Sequence, residues 1–219
     1  MPQNRKTYAL LSALAVTALS ATHISVAVAQ EQSPFSAYDE AGTVIVDTQP
    51  YNEIIQALSV SERGRTLIAY DFARAEALPF FERYVRYLAN VSVETLNRDE
   101  QLAYWLNTRN VLLIQAIAEE QRISGFKRKR GTPDAPGAFW TKPRITVSGV
   151  SLSLQDIEQN ILFAGWDDAN VIFGLYQGID GGPALPRRAF TGANVTPQLA
   201  EAGRQFASLS RNLRVRGDK

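Results

Sequence analysis

The 219-residue chain has no cysteine and a single histidine, His23. Without cysteine it forms no disulfide, offers no thiolate nucleophile, and cannot carry the lipid-modified cysteine of a bacterial lipoprotein. His23 lies in a segment with the marks of a leader. Once that segment is removed the chain has neither residue, which excludes a Ser-His-Asp triad, a Cys-His dyad and a zinc site of the usual nitrogen and sulfur ligands. An excess of charge of one sign is also missing, with 23 basic against 22 acidic residues. Nothing in that balance asks for nucleic acid. Beyond the N-terminal segment no window approaches the ~18 consecutive apolar residues that span a bilayer, so any membrane anchor would have to be the leader itself.

The leader reads as a secretory signal peptide. Arg5 and Lys6 give a basic start, an apolar stretch runs from Tyr8 to about Ala21, and Ala27-Val28-Ala29 forms a small-x-small cleavage triplet. Cleavage is expected after Ala29, which predicts a periplasmic or secreted protein. Loss of Arg5 and Lys6 leaves 21 basic residues against 22 acidic, a mature net charge of −1. About 190 residues make one ordinary domain, and the 45% hydrophobic content supplies a core without covalent staples. For chemistry there remain carboxylates, Lys, Arg, Tyr, Ser and Thr, or an oxygen-ligand site for a hard cation. No residue pattern specifies a metal or a cofactor.

One stretch, Leu96 to Gln121, is patterned for burial on nearly every side. Asn97 reads as an N-cap, Glu100 closes a capping box, and Asp99 adds a carboxylate at the positive end of the helix dipole. No Gly or Pro follows until Gly125. At about 100° per residue Thr108, Gln115 and Glu119 share one narrow stripe, expected to be wet, while Leu102, Leu106, Leu113 and Ile117 fill the opposite side. Asn107 and Asn110 fall off that stripe among apolar neighbours, where an unpaired amide costs about 1–3 kcal/mol. They either pin neighbouring loops to the core or line a polar pocket.

Along the chain, residues 30–42 read as a flexible leader. Thr43 to Asp47 is β-branched and strand-like, Tyr51 to Leu58 a helix after Pro50, and Thr66 to Asp71 a second possible strand. Ala73 to Asn90 repeats Leu78, Phe81, Val85 and Leu88 at helical spacing, with Phe80, Phe81, Tyr84 and Tyr87 as an aromatic core cluster. Ile123 to Pro143 reads as a long loop holding Lys127, Arg128, Lys129 and Arg130; such a run is ordinarily solvated, its functional alternative an anionic envelope partner. Phe139 and Trp140 would tuck the loop back onto the body. Arg144 to Leu154 forms a β-hairpin about Ser148-Gly149, and Ser153 with Asp156 caps a helix to about Phe163. Val171 to Gln177 reads as a buried strand, with a helix fitting nearly as well. Thr196 caps a last helix opened by Pro197, and a strand over Leu213 to Val215 completes the reading.

The order of these parts resembles the domain of unknown function 547 family over roughly Tyr51 to Val215. LAYWLNTRN is similar to its Trp-x-Asn-x-Tyr-Asn helix, carried here by Trp105, Asn107 and Asn110 with Arg109 in place of Tyr. ITVSGVSLSLQDIEQNIL resembles its hairpin and following helix, and VIFGLYQGIDGGPAL stands where it has His-Phe-Ala-Leu-x-Cys-Gly and a later Cys-Pro. RAFTGANVTPQLAEAGRQF follows like its C-terminal tail. The departures fall on the reactive positions: Gln159 and Ile172 replace histidines, and Gln177 and approximately Gly182 replace cysteines. Members that keep them would suit thiol hydrolysis or metal binding. Here the resemblance implies a diverged, inactive member.

The chain is therefore expected to be one α+β domain over residues 43–216, a small, mostly antiparallel sheet packed with about five helices around one central buried helix. The expected function is non-catalytic ligand binding or scaffolding, through a pocket near Asn107, Arg109, Asn110, Glu158, Gln159 and Gln177 or through the basic run. An ion pair of Arg109 with Glu158 would explain why that charge survives without catalysis. The alternative is a carboxylate-dependent hydrolase of glycosides or phosphate esters, with Glu158 as acid or base and Asp156, Asp167 or Asp180 as its partner.

Overall fold

A computed structural model describes residues 34–62, 65–122, 130–132, 135–179 and 181–209. The expected signal peptide, Lys127, Arg128, Lys129, Asp180 and the expected strand at Leu213 to Val215 lie outside them. The fold is α+β. In chain order it runs α1 (Gln49–Leu58), β1 (Ser59–Glu62), β2 (Arg65–Ile68), α2 (Tyr70–Phe72), a π-helical turn (Ala73–Ala77), α3 (Leu78–Ala89), a 3₁₀ turn (Val93–Thr95) and α4 (Arg98–Glu120). There follow β3 (Gly131–Thr132), β4 (Ala135–Pro136), α5 (Ala138–Thr141), β5 (Pro143–Val147), β6 (Val150–Ser153), a π-helical segment (Asp156–Phe163), a 3₁₀ segment (Ala169–Gly174) and α6 (Val195–Ser208). The described strands pair as three antiparallel two-stranded hairpins, β1–β2, β3–β4 and β5–β6, so the helices and not a sheet build the core.

The 23-residue α4 is the axis, with every residue from Glu100 to Ile114 buried. It is covered by α3, α6, α2, the first π-helical turn and the Asp156–Phe163 segment, while α1 and β5 pack on α3. The cap forms as the sequence dictates: Asn97 Oδ1 accepts from the Glu100 amide at 2.9 Å. Glu100 does not close the box. Its carboxylate accepts instead from the amides of Val46 at 2.9 Å and Gly192 at 2.6 Å, tying two distant segments to the start of the helix. The expected wet stripe is shorter than the helix, because Thr108 is fully buried and only Gln115 and Glu119 reach water.

Several expected elements take other forms, each for a visible reason. From residue 34 the leader is not loose: Phe35 packs edge-on against Trp105 with centroids 4.8 Å apart, Ala37 accepts from Gln101 at 2.6 Å, and Asp39 donates to the Leu96 carbonyl at 3.0 Å. Residues 43–47 form no ladder, because side chains take their donors, Glu100 from Val46 and the Tyr87 hydroxyl from Asp47 at 2.9 Å. Residues 169–174 are 3₁₀ helix, capped by Asp168, whose carboxylate accepts from the Asn170 amide at 2.8 Å, so the stretch Val171 to Gln177 begins on the helical side of the two forms its sequence fits. The last helix starts at Val195 with Asn194 as N-cap, ahead of the expected Thr196. Of the aromatic cluster Phe81 and Tyr84 are buried, whereas Phe80 and Tyr87 are exposed.

The hairpin falls where Ser148-Gly149 places it, with φ of 48° and 81° at those residues, the left-handed pair of a tight two-residue turn. Ser153 and Asp156 close a reciprocal cap, the serine amide donating to Asp156 Oδ2 at 2.9 Å and the aspartate amide to Ser153 Oγ at 3.1 Å. The helix that follows widens into the π-helical segment, which carries Glu158. Where a long loop was expected between α4 and β5, the described residues form β3, β4 and α5, and the buried Phe139 of α5 holds that end to the body.

Candidate functional site

Consecutive turns of α4 aim three polar side chains at different neighbours. Asn107 grips Phe190, donating to its carbonyl at 2.7 Å and accepting from its amide at 3.0 Å. Asn110 does the same one turn on, donating to the Gly174 carbonyl at 2.8 Å and accepting from the Tyr176 amide at 3.0 Å. Both asparagines thus spend their amides pinning loops. Arg109, between them, points into the space enclosed by the π-helical segment and residues 176–178.

Its guanidinium is wholly buried and meets Glu158 at 2.6 Å, where the carboxylate side chain keeps 18% exposure. The same nitrogen donates to Gln177 Oε1 at 3.3 Å, the other terminal nitrogen donates to the Tyr176 carbonyl, and the Trp140 ring centroid lies 5.4 Å from the guanidinium carbon. Arg130, the last of the basic run, turns inward to the same place. It donates to the Gln177 carbonyl and, at 3.4 Å, to that of Gly178, and its guanidinium carbon lies 5.6 Å from the Trp140 ring centroid. Gly178 holds φ at 59° there, and a Cβ on it would press on Ile117. Three successive carbonyls thus face two guanidiniums.

Tyrosines complete the wall. The Tyr70 hydroxyl donates to that of Tyr176 at 3.1 Å. Tyr51 is buried with its hydroxyl unpartnered among the described residues, and it feels the charge of Arg109. Burial raises the phenol pKa of Tyr51, Tyr70 and Tyr176 above the ordinary range. Burial likewise pulls Arg109 and Arg130 down; Glu158 opposes the shift at Arg109 and the two tyrosines Tyr70 and Tyr176 oppose it at Arg130. Guanidinium starts so high that both stay charged at neutral pH.

Of the residues expected to form a pocket, Arg109, Glu158 and Gln177 meet. Asn107 and Asn110 stand behind them as loop anchors, and Gln159 is exposed, away from the cluster. Asp156 is occupied by its cap with Ser153 and Asp167 is exposed, so neither of these two expected partners is committed to Glu158. The sequence reading missed Tyr51, Tyr70, Trp140 and Tyr176, and treated Arg130 as a surface charge. The available signal was weak: Tyr176 adjoins Gln177 and Trp140 follows the basic run, but neither has a telling spacing.

A family model described as protein of unknown function, DUF547, matches residues 93–207. The chain belongs to the DUF547 family. Neither a curated protein nor a solved structure gives a significant match. The matched span takes in α4, the β5–β6 hairpin, the π-helical segment with Glu158, Tyr176 and Gln177, and nearly all of α6. The Arg109–Glu158 pair is therefore built within the DUF547 region, whereas Tyr51 and Tyr70 come from outside it.

Proposed function

We propose that this DUF547 protein is exported and non-catalytic, acting as a ligand-binding or scaffold protein whose ancestral reactive site is closed by Arg109. The carrying observation is the 2.6 Å contact of Arg109 with Glu158. The glutamate that an enzyme would use as acid or base is neutralised by a fully buried guanidinium. The same guanidinium reaches Gln177, which stands where the family resemblance places a cysteine. Gln159 and Ile172, at the family histidine positions, are both exposed, so no imidazole substitute is brought to the site. Export rests on the leader sequence, with Arg5 and Lys6 ahead of an apolar stretch and the Ala27-Val28-Ala29 triplet.

The test is turnover. The purified protein is assayed against peptide, ester, glycoside and phosphate-ester substrates beside Glu158→Gln. The expected result is no turnover above background in either. Hydrolysis of any of them that disappears in Glu158→Gln would overturn the reading in favour of a carboxylate-dependent hydrolase.

A further inference from the structure

The charges around Trp140 do not balance. Arg109 has Glu158, but Arg130 has no carboxylate within ion-pair distance among the described residues. Its partners among the described residues are the carbonyls of Gln177 and Gly178 and the rings of Phe139 and Trp140. Arg130 lowers the proton affinity of Arg109, and the two guanidiniums with one carboxylate leave a net charge of +1 in a half-buried cluster. A partly desolvated cation held without a counter-ion is costly, and carbonyl dipoles relieve only part of that cost.

Unspent donors lie in the same place. Arg109 Nε and the Tyr51 hydroxyl are buried without partners among the described residues, in side chains of residues 0% and 1% exposed. Beyond its burial, Tyr51 feels Tyr84 first and then Arg109 and Tyr176, so it lies within electrostatic reach of this cluster. Tyr70, Tyr176, Gln177 and Arg130 are each half-buried, which gives the cluster an open side.

We infer that Arg130, with the Tyr176 hydroxyl that Tyr70 orients by its hydrogen bond, binds a singly charged oxyanion at the mouth of the Arg109–Glu158 site. One negative charge completes the balance, and a guanidinium fork suits the paired oxygens of a carboxylate or a phosphodiester. The flat Trp140 ring would bound the ligand on one side. This inference names the ligand class of the site proposed above and rests on that reading. It fails separately, because it concerns binding and the other concerns turnover.

The experiment titrates the full protein with acetate and with dimethyl phosphate at constant ionic strength, chloride being the reference salt, and follows tryptophan fluorescence and the melting temperature. Wild type is expected to show a saturable response to at least one of the two, with the tighter ligand identifying a carboxylate or a phosphodiester source. Arg130→Gln should weaken it at least tenfold. Arg130→Lys, which keeps the charge and threatens folding least, should weaken it severalfold, and Arg204→Gln, an exposed residue elsewhere, should leave it unchanged. No saturable response in wild type, or equal responses in wild type and both Arg130 variants, would overturn the inference.

Discussion

The side-chain amide of Asn107 exchanges two hydrogen bonds with the backbone of Phe190, 83 residues away in sequence. It does for one loop what a strand partner would do, satisfying a buried amide and a buried carbonyl together. Asn107→Leu fills the same space but leaves both backbone groups without partners, at a cost of about 2–4 kcal/mol. Asn107→Asp keeps the acceptor and turns the donor into a charge facing a carbonyl, so it should fare no better. Urea unfolding measures both; a loss below about 0.5 kcal/mol, the range of ordinary surface changes, would mean the loop has other support.

Glu100 is the second such anchor and the more exacting one. Its two oxygens each accept from a backbone amide, Val46 and Gly192, and both amides can only donate. Glu100→Gln therefore puts an NH₂ group against one of those amides. Hydrogen bonds to a charged group contribute about 1.5–3 kcal/mol, and a loss of about 2 kcal/mol is expected by urea denaturation. Hydrogen exchange should rise at Val46 and Gly192 while the middle of α4 stays protected. Uniform exposure of the whole chain would argue against a local clamp.

These anchors explain what could be read in advance. The period of α4 and its Asn97 cap depend on neighbours three and four residues away, and so do the Ser153–Asp156 cap and the Ser148-Gly149 hairpin. All are local, and all form where the sequence places them. Residues 43–47 and 171–177 have strand-like composition, yet their structure is decided by Glu100, Tyr87 and Asn110 reaching in from elsewhere. Composition carries no record of those partners. The site divides in the same way. Arg109 and Glu158 were legible because the family pattern singles out their helices; Arg130 was not, since a basic run ordinarily faces water and its inward turn depends on the carbonyls of Gln177 and Gly178.

Gly42 marks how tightly residues 34–42 lie against the body. A Cβ there would come within 2.6 Å of the Thr95 carbonyl oxygen and 2.9 Å of the Asp39 carbonyl oxygen, both backbone atoms. Neither can swing aside. Gly42→Ala is expected to cost about 1–3 kcal/mol, in the range of overpacking, and to loosen the Asn97 hydrogen bond to the Gly42 carbonyl. Limited proteolysis between residues 34 and 46 should accelerate in that variant. Unchanged cleavage and unchanged stability would show that the segment packs less closely than described.

Alkaline pH should unfold the protein through its tyrosines. Burial raises the pKa of Tyr51, Tyr70, Tyr84, Tyr104 and Tyr176 above that of the free side chain. A raised folded value means the neutral phenol is favoured in the native state. That stability is complete below the unfolded value near ~10 and is lost as the pH climbs from there toward the folded values. Each such group then contributes a slope of up to about 1.4 kcal/mol per pH unit. The melting temperature should hold to about pH 9.5 and fall steeply beyond ~10, with the phenolate absorbance of these residues appearing together with unfolding. Phenolate absorbance that rises fully while near-ultraviolet circular dichroism stays native would contradict the buried positions.

The Arg109–Glu158 pair makes the sharpest demand, because one partner is wholly buried and the other still touches water. Removing the arginine as Arg109→Met strands the carboxylate beside apolar atoms and frees the Tyr176 carbonyl and Gln177 Oε1. Removing the carboxylate as Glu158→Gln strands a buried cation that keeps those other acceptors. Breaking a buried pair from one side costs about 3–5 kcal/mol. The arginine variant should lie near the lower end, since Glu158 keeps 18% exposure and can recover some hydration, and the glutamine variant, which leaves a wholly buried cation without its counter-charge, should lose at least as much. In the double variant neither charge of the pair remains to be stranded, so its loss should fall short of the sum of the singles by about 1–3 kcal/mol. Simple additivity in denaturant would mean that the two side chains do not act as a pair, and the closed-site reading would lose its foundation with them.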